Sequence, residues 1–147
     1  MSETCVDASV VVKLALGGEP YRATARQLIR DSLGSGIELI APPFYPSEVD
    51  SVIRKRAYEG RLSSAGAQSA FAVLDRAPVH VLSHSRLRVR ARQIAEQFNQ
   101  RTVYDASYAA LAELRGCDFW TADKALYLGV QPSLAYVKYL PNYSRQV

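Results

Sequence analysis

The chain has little of what marks several large protein classes. No apolar run approaches the roughly 20 residues that a membrane-spanning helix needs, and Met1-Ser2-Glu3-Thr4 lacks the basic and apolar regions of a secretory signal. Cysteine is scarce. Cys5 and Cys117 both fall in stretches that read as buried strands, where the thiol acts as a small hydrophobe, so the expected compartment is a reduced cytoplasm. Only His80 and His84 are available as imidazole ligands, one in a strand and the other beyond it, with no further soft ligands to complete a zinc site. No G-x-S-x-G elbow is present, which excludes the usual hydrolase triad context. Gly17-Gly18 follows a helix and not a strand, the wrong context for a phosphate-cradling loop. Repeats, low-complexity linkers and composition breaks are also missing. The expectation is therefore one domain over residues 1–147, with a core at about 4–130 and a C-terminal edge segment at 131–147.

What is present is an ordinary globular composition, 48% hydrophobic and 22% charged, with a net charge of +4. That excess of base suits a polyanionic partner without requiring one.

Strand and helix signals alternate along the chain. Thr4-Cys5-Val6-Asp7 reads as a short strand with Asp7 at its exit, and Ser9 is the expected N-cap of a helix over 10–16. Residues 21–33 carry an apolar stripe of Ala25, Leu28, Ile29 and Leu33. Ile37-Glu38-Leu39-Ile40-Ala41 is a second strand, stopped by Pro42-Pro43. Ser47 is the expected cap of a helix over 48–59 that turns Val49, Val52, Ile53 and the stem of Arg56 inward, with Gly60 beyond its end. A helix over 63–76, with Ala67, Ala70, Phe71 and Leu74 inward, completes a helical hairpin before the strand Val79-His80-Val81-Leu82. Residues 85–99 show a helical stripe at Leu87, Ala91, Ile94, Ala95 and Phe98. The helix headed by Tyr104-Asp105 ends at Gly116. A strand over 117–122, a short helix over 123–128, an edge strand over 136–140 and a polar tail follow. This order predicts an α/β layered fold with a largely parallel sheet.

Four acids share one positional character. Asp7 and Asp123 end strands, whereas Glu48 and Asp105 open helices. Taken singly, each has a structural reading as a first-turn acid favoured by the helix dipole, or as a cap or turn residue. Taken together, strand exits and helix starts are where an α/β sheet opens its crevice, so the four point into one pocket if their strands are neighbours. Converging carboxylates raise one another's pKa unless a cation joins them. A hard ion with oxygen ligands, Mg²⁺ or Mn²⁺, relieves that repulsion and leaves positions for water and phosphate. Asp118, a fifth acid, falls at the opposite end of its strand from Asp123 and reads as a solvated residue.

The motifs that carry these acids are Val6-Asp7-Ala8-Ser9, Pro46-Ser47-Glu48-Val49, Tyr104-Asp105-Ala106-Ser107-Tyr108-Ala109-Ala110-Leu111-Ala112 and Thr121-Ala122-Asp123-Lys124-Ala125-Leu126. In order and placement they resemble the PIN domain, and within it the small VapC-type toxin ribonucleases, over about residues 4–130. The resemblance implies a three-layer α/β fold whose central, mostly parallel sheet is flanked by helices. It also implies Mg²⁺- or Mn²⁺-dependent cleavage of RNA, homodimers and a small antitoxin partner. By the same resemblance Asp7, Glu48, Asp105 and Asp123 match the acidic quartet, and Ser9 and Thr121 match supporting hydroxyls. Asp7, Asp105 and Asp123 are the expected direct ligands, and Glu48 is left either to ligate the ion or to orient the water. The alternative is a catalytically silent relative that binds RNA or protein. A phosphotransferase using Asp7 as nucleophile is disfavoured, because Ser9 stands where its second acid belongs.

Basic residues offer a weaker signal. Arg86, Arg88, Arg90 and Arg92 form two i,i+4 pairs, read either as a solvated face with snorkelling stems or as phosphate contacts. Arg54, on the helix that Glu48 opens, is a further candidate for steering RNA, with Arg86 and Arg90.

Overall fold

The computed structural model describes residues 2–144. Five short strands, β1 (Glu3–Val6), β2 (Glu38–Ala41), β3 (Val79–Val81), β4 (Phe119–Thr121) and β5 (Val137–Tyr139), form one sheet in the order β3-β2-β1-β4-β5. Every neighbouring pair is parallel, including the edge strand β5. The register sets Cys5 of β1 opposite Ile40 of β2 on one side and Phe119 of β4 on the other. The first strand of the chain is thus the middle strand of the sheet. Parallel neighbours need crossovers, and helices supply them. These are α1 (Ala8–Ala15), α2 (Arg22–Gly34), α3 (Tyr45–Tyr58), α4 (Ser64–Arg76), α5 (Leu87–Gln97), α6 (Tyr104–Arg115) and α7 (Lys124–Val130).

Side chains alternate across β4, and two cores result. Phe119 enters a large cluster built with α3, α4, α5 and α6, while Trp120 packs against a smaller one of Val10, Ala25, Leu28 and Leu140. Phe119 is fully buried, and its truncation to Ala removes about 3–5 kcal/mol of stability. Helix α6 explains why so much alanine is needed. Pressed between α5 and the sheet, it buries Ala106, Ala109, Ala110 and Ala112 together with Tyr108 and Leu111, and small side chains let the backbones approach. Gly116 ends it at φ 68°, the left-handed conformation that glycine adopts without a Cβ penalty.

Three expectations change at the element ends. Ser9 does not cap α1. The helix starts immediately after β1, Asp7 occupies the cap position by its backbone, and the Ser9 hydroxyl turns to Asp7 and β4 instead. Ser47 does not cap α3, which begins earlier, at Tyr45, because Pro46 needs no N–H partner in a first turn. Leu33 is 45% exposed, and the buried stripe of α2 runs Ala25, Leu28, Ile29, Ser32. The spacing of seven from Ala25 selects Ser32, whose hydroxyl donates back to the Leu28 carbonyl at 2.8 Å. By contrast, Ser63 caps α4 as expected, accepting from the Gly66 N–H at 2.9 Å. Phe71, Phe98 and Val52 are half-buried and pack against the large cluster. The two helices between β2 and β3 pack on each other and on α1. The expected polar tail extends past the described residues.

Candidate active site

The carboxyl ends of the two central strands and the starts of the helices around them bring the four acids into one region. β1 delivers Asp7, β4 delivers Asp123 two residues after Thr121, and α3 and α6 present Glu48 and Asp105 from their first turns. Asp105 and Asp123 line the same pocket, of about 280 Å³, with Phe98, Gln100, Arg101 and Leu126. Asp118 sits before β4 begins, at the far end of that strand, as its place in the chain predicts.

Asp7 is the buried member, only 4% exposed. Its Oδ2 accepts the hydroxyls of Ser9 and Thr121, each at 2.8 Å, and among the described residues Oδ1 accepts no hydrogen bond. Both hydroxyls are tied a second time. The Ala122 N–H donates to Ser9 Oγ and the Asp123 N–H donates to Thr121 Oγ1, each at 3.0 Å. The turn after β1 and the turn after β4 are thereby joined through one carboxylate. Sequence reasoning placed both hydroxyls beside the acids but did not anticipate this second set of bonds.

Each anchored acid keeps one oxygen unengaged. Glu48 Oε1 accepts the Tyr108 hydroxyl at 2.6 Å, and Asp123 Oδ1 caps α7 by accepting the Leu126 N–H at 3.0 Å. Neither second oxygen accepts a bond from a described residue, nor does either oxygen of Asp105. Three carboxylates thus have fixed orientation with a free acceptor, while the fourth, Asp105, is half-buried and accepts no hydrogen bond from a described residue. Tyr108 is the supporting group that sequence reasoning missed. It is fully buried, stacked on Phe119 at 5.4 Å and edge-on to Phe44 at 5.4 Å. Its spacing of three from Asp105 on α6, which puts both on one helix face, is the signal that marks it.

Electrostatics register the crowding. Burial raises the Asp7 pKa to about 6; the two hydroxyls oppose that rise, and the charges of Glu48 and Asp123 add to it. Burial, then the charges of Asp7 and Asp123, push Asp105 to about 6. Glu48 is raised by burial and by Asp105, against the lowering effect of the Tyr108 hydroxyl. Burial, followed by the charges of Asp7 and Glu48, holds the Tyr108 phenol far above its ordinary range. Asp7, Glu48 and Asp105 are thus each raised in part by the charge of another acid of the group. Even so, among the described residues no three His, Cys, Asp or Glu side chains stand close enough together to clasp an ion as placed. The donor set itself, all oxygen and mutually repelling, fits a hard divalent cation rather than a soft one.

The three arginines divide. Arg90 is held by Glu113 of α6 in a two-pronged ion pair, one prong at 2.9 Å, so its guanidinium braces α5 against α6. Arg54 lies over the Tyr58 ring, 5.9 Å from its centroid, on an exposed part of α3. Arg86 immediately precedes α5, and its backbone N–H donates to His84 Nδ1 at 3.0 Å.

A parallel five-stranded sheet flanked by helices, with four carboxylates brought to its carboxyl edge, defines a layered α/β protein. Residues 4–128 match the sequence profile of the PIN domain; the chain belongs to this family, whose domains are in general nucleases. Among curated proteins none matches the sequence. Two solved structures are similar over most of their length. PAE2754 from Pyrobaculum aerophilum is 27% identical with a TM-score of 0.64, over 88% of this chain and 81% of that one. VapC20 of Mycobacterium tuberculosis, described as a sarcin–ricin loop cleaving toxin, is 18% identical with a TM-score of 0.63, over 84% of this chain and 92% of that one. Among the described residues, no helix is long and apolar enough to cross a membrane.

Proposed function

We propose that this protein is a Mg²⁺- or Mn²⁺-dependent endoribonuclease and the toxin half of a toxin–antitoxin pair. The observation that carries the reading is the quartet itself. Asp7, Glu48, Asp105 and Asp123 repel one another at the sheet edge, and three of them are oriented with one oxygen free. A buried core gains nothing from such repulsion, whereas a metal site needs it. When bound, the divalent ion supplies the charge that activates water and offsets developing negative charge on a phosphodiester. Asp7, Asp105 and Asp123 would hold it. Ser9 and Thr121 fix the Asp7 carboxylate, and Tyr108 fixes Glu48, whose free oxygen ligates the ion or accepts a proton from the attacking water. Arg54 and Arg86 belong to the proposed RNA surface, while Arg90, held by Glu113, does not.

The toxin assignment, the antitoxin partner, a homodimer and a cytoplasmic location come with the VapC-type resemblance; VapC20, a toxin by its description, shares the fold. The open placement of the acids favours a second reading, a silent PIN module that binds RNA or protein without cutting it.

The test is incubation of the purified protein with end-labelled single-stranded RNA in Mg²⁺ or Mn²⁺, with EDTA and Asp105→Asn as controls. Cleavage lost in both controls is the expected result. A folded, partner-free sample that neither cleaves nor binds Mn²⁺ leaves the silent module standing.

A further inference from the structure

Two side chains outside the acidic quartet lie close to Asp105 in the chain, one facing a pocket shared with α7 and the other packed on Phe44 at the start of α3. Arg101 lies in the segment between α5 and α6 and lines the pocket that also holds Asp105 and Asp123, on the side of α7. It shares that pocket with two carboxylates yet pairs with neither. Among the described residues its guanidinium makes no ion pair or hydrogen bond, and it does not figure among the charges that set the Asp105 pKa. An arginine on the rim of an acid-lined pocket, with a free fork, is placed for an anion arriving from outside. Tyr104 opens α6 and packs towards α3. The residue is 55% exposed, and its ring is held edge-on by Phe44, with centroids 5.1 Å apart and planes at 65°. Phe44 is itself braced by Tyr108, so the exposed ring rests on a rigid aromatic wall.

We infer that Arg101 and Tyr104 are the substrate-positioning pair of this site, and the inference rests on the ribonuclease reading above. An RNA strand crosses the crevice over Asp105. On the α3 side an unpaired base stacks on the Tyr104 ring, and on the α7 side a backbone phosphate neighbouring the scissile one meets the Arg101 fork. A base inside a duplex is already stacked on both faces, so Tyr104 selects for strands or loops whose base is free. The two contacts differ in kind, one ionic and one apolar, and that difference makes them separable.

The experiment measures steady-state cleavage of a short single-stranded RNA in Mn²⁺ across a range of salt, with a hairpin of the same composition as comparison. Both side chains are exposed, so their variants fold; a melting curve for each verifies it. Arg101→Ala is expected to raise KM about tenfold with kcat little changed, and to flatten the dependence of log KM on log salt by about 0.7. Tyr104→Ala is expected to raise KM about tenfold on the single strand, with the salt slope unaltered and little effect on the duplex stem. Tyr104→Phe, which keeps the ring, restores the wild-type KM. An active wild type whose KM is indifferent to both alanine variants overturns the pair and leaves the nuclease reading intact. So does a Tyr104→Ala loss that is equal on strand and stem. A wild type that cuts no RNA fails the nuclease reading itself and removes the pair with it.

Discussion

Replacing Asp105 by Asn separates a site residue from a structural one, because the two roles predict opposite signs. The carboxylate accepts no hydrogen bond from a described residue, so the amide forfeits none. What it removes is charge. A rise in pKa from 3.8 to about 6 corresponds, at 1.36 kcal/mol per pH unit, to roughly 3 kcal/mol of native-state penalty if nothing screens it. Asp105 is half-buried, so solvent screening reduces that to about 1–2 kcal/mol. Against it stands the loss of a favourable first-turn acid on α6, about 0.3–1 kcal/mol. The balance is about 1 kcal/mol in favour of the variant, or about 3 °C in Tm for a chain of this length. The pH window follows from the direction. A carboxyl whose pKa is raised on folding contributes its stability fully below 3.8 and loses it as pH climbs through about 6. In EDTA the variant should therefore melt with wild type near pH 4 and about 3 °C above it at pH 7. Divalent metal reverses the order. At a hundredfold excess over Kd, Mn²⁺ stabilises the wild type by about 2.7 kcal/mol, and the variant should gain less than half of that. Differential scanning fluorimetry at the two pH values, with and without Mn²⁺, reads all four quantities. A variant that melts several degrees below wild type in EDTA at pH 7, or gains as much from Mn²⁺, refutes the reasoning.

Three further substitutions probe the supports. Tyr108→Phe frees Glu48 Oε1 and should cut kcat about tenfold. The lost hydroxyl was lowering the Glu48 pKa, so the acid limb of the pH–rate profile should move to higher pH; an unmoved limb would count against the contact. Thr121→Val keeps the shape of a fully buried residue but deprives Asp7 Oδ2 and the Asp123 N–H of a partner, a loss of about 1–3 kcal/mol by denaturant unfolding. Arg90→Ala breaks a partly exposed pair with Glu113 and should lower stability by less than about 1 kcal/mol, leaving KM for RNA unchanged. A large rise in KM would return Arg90 to the RNA surface.

Much of the site was legible because its chemistry depends on position relative to strand exits and helix starts, and these leave strong local marks. Asp7 follows an apolar strand, and Gly116 ends the Ala-rich helix that Asp105 opens. Cross-chain partnership was not legible. Nothing near Ser9 says that its hydroxyl will meet the Ala122 N–H, because that contact exists only once β1 and β4 are neighbours in the sheet. The same limit explains the misplaced caps. Ser47 and Ser9 satisfy a local capping rule that long-range geometry outbid: one helix starts sooner through Pro46, and the other hydroxyl is drawn to a carboxylate. Arg90 looked like a free basic face because Glu113 lies on another helix.

The central position of β1 also has a consequence for synthesis. Its carboxyl-side supports come from Thr121 and Asp123, more than a hundred residues later, and the strand that carries them closes one of its two edges. A growing chain that has emerged only as far as α6 holds Asp7 without its second hydroxyl and without the acid of β4. The carboxylate of Asp7 therefore gains its full set of partners only once β4 has been made and has docked beside β1.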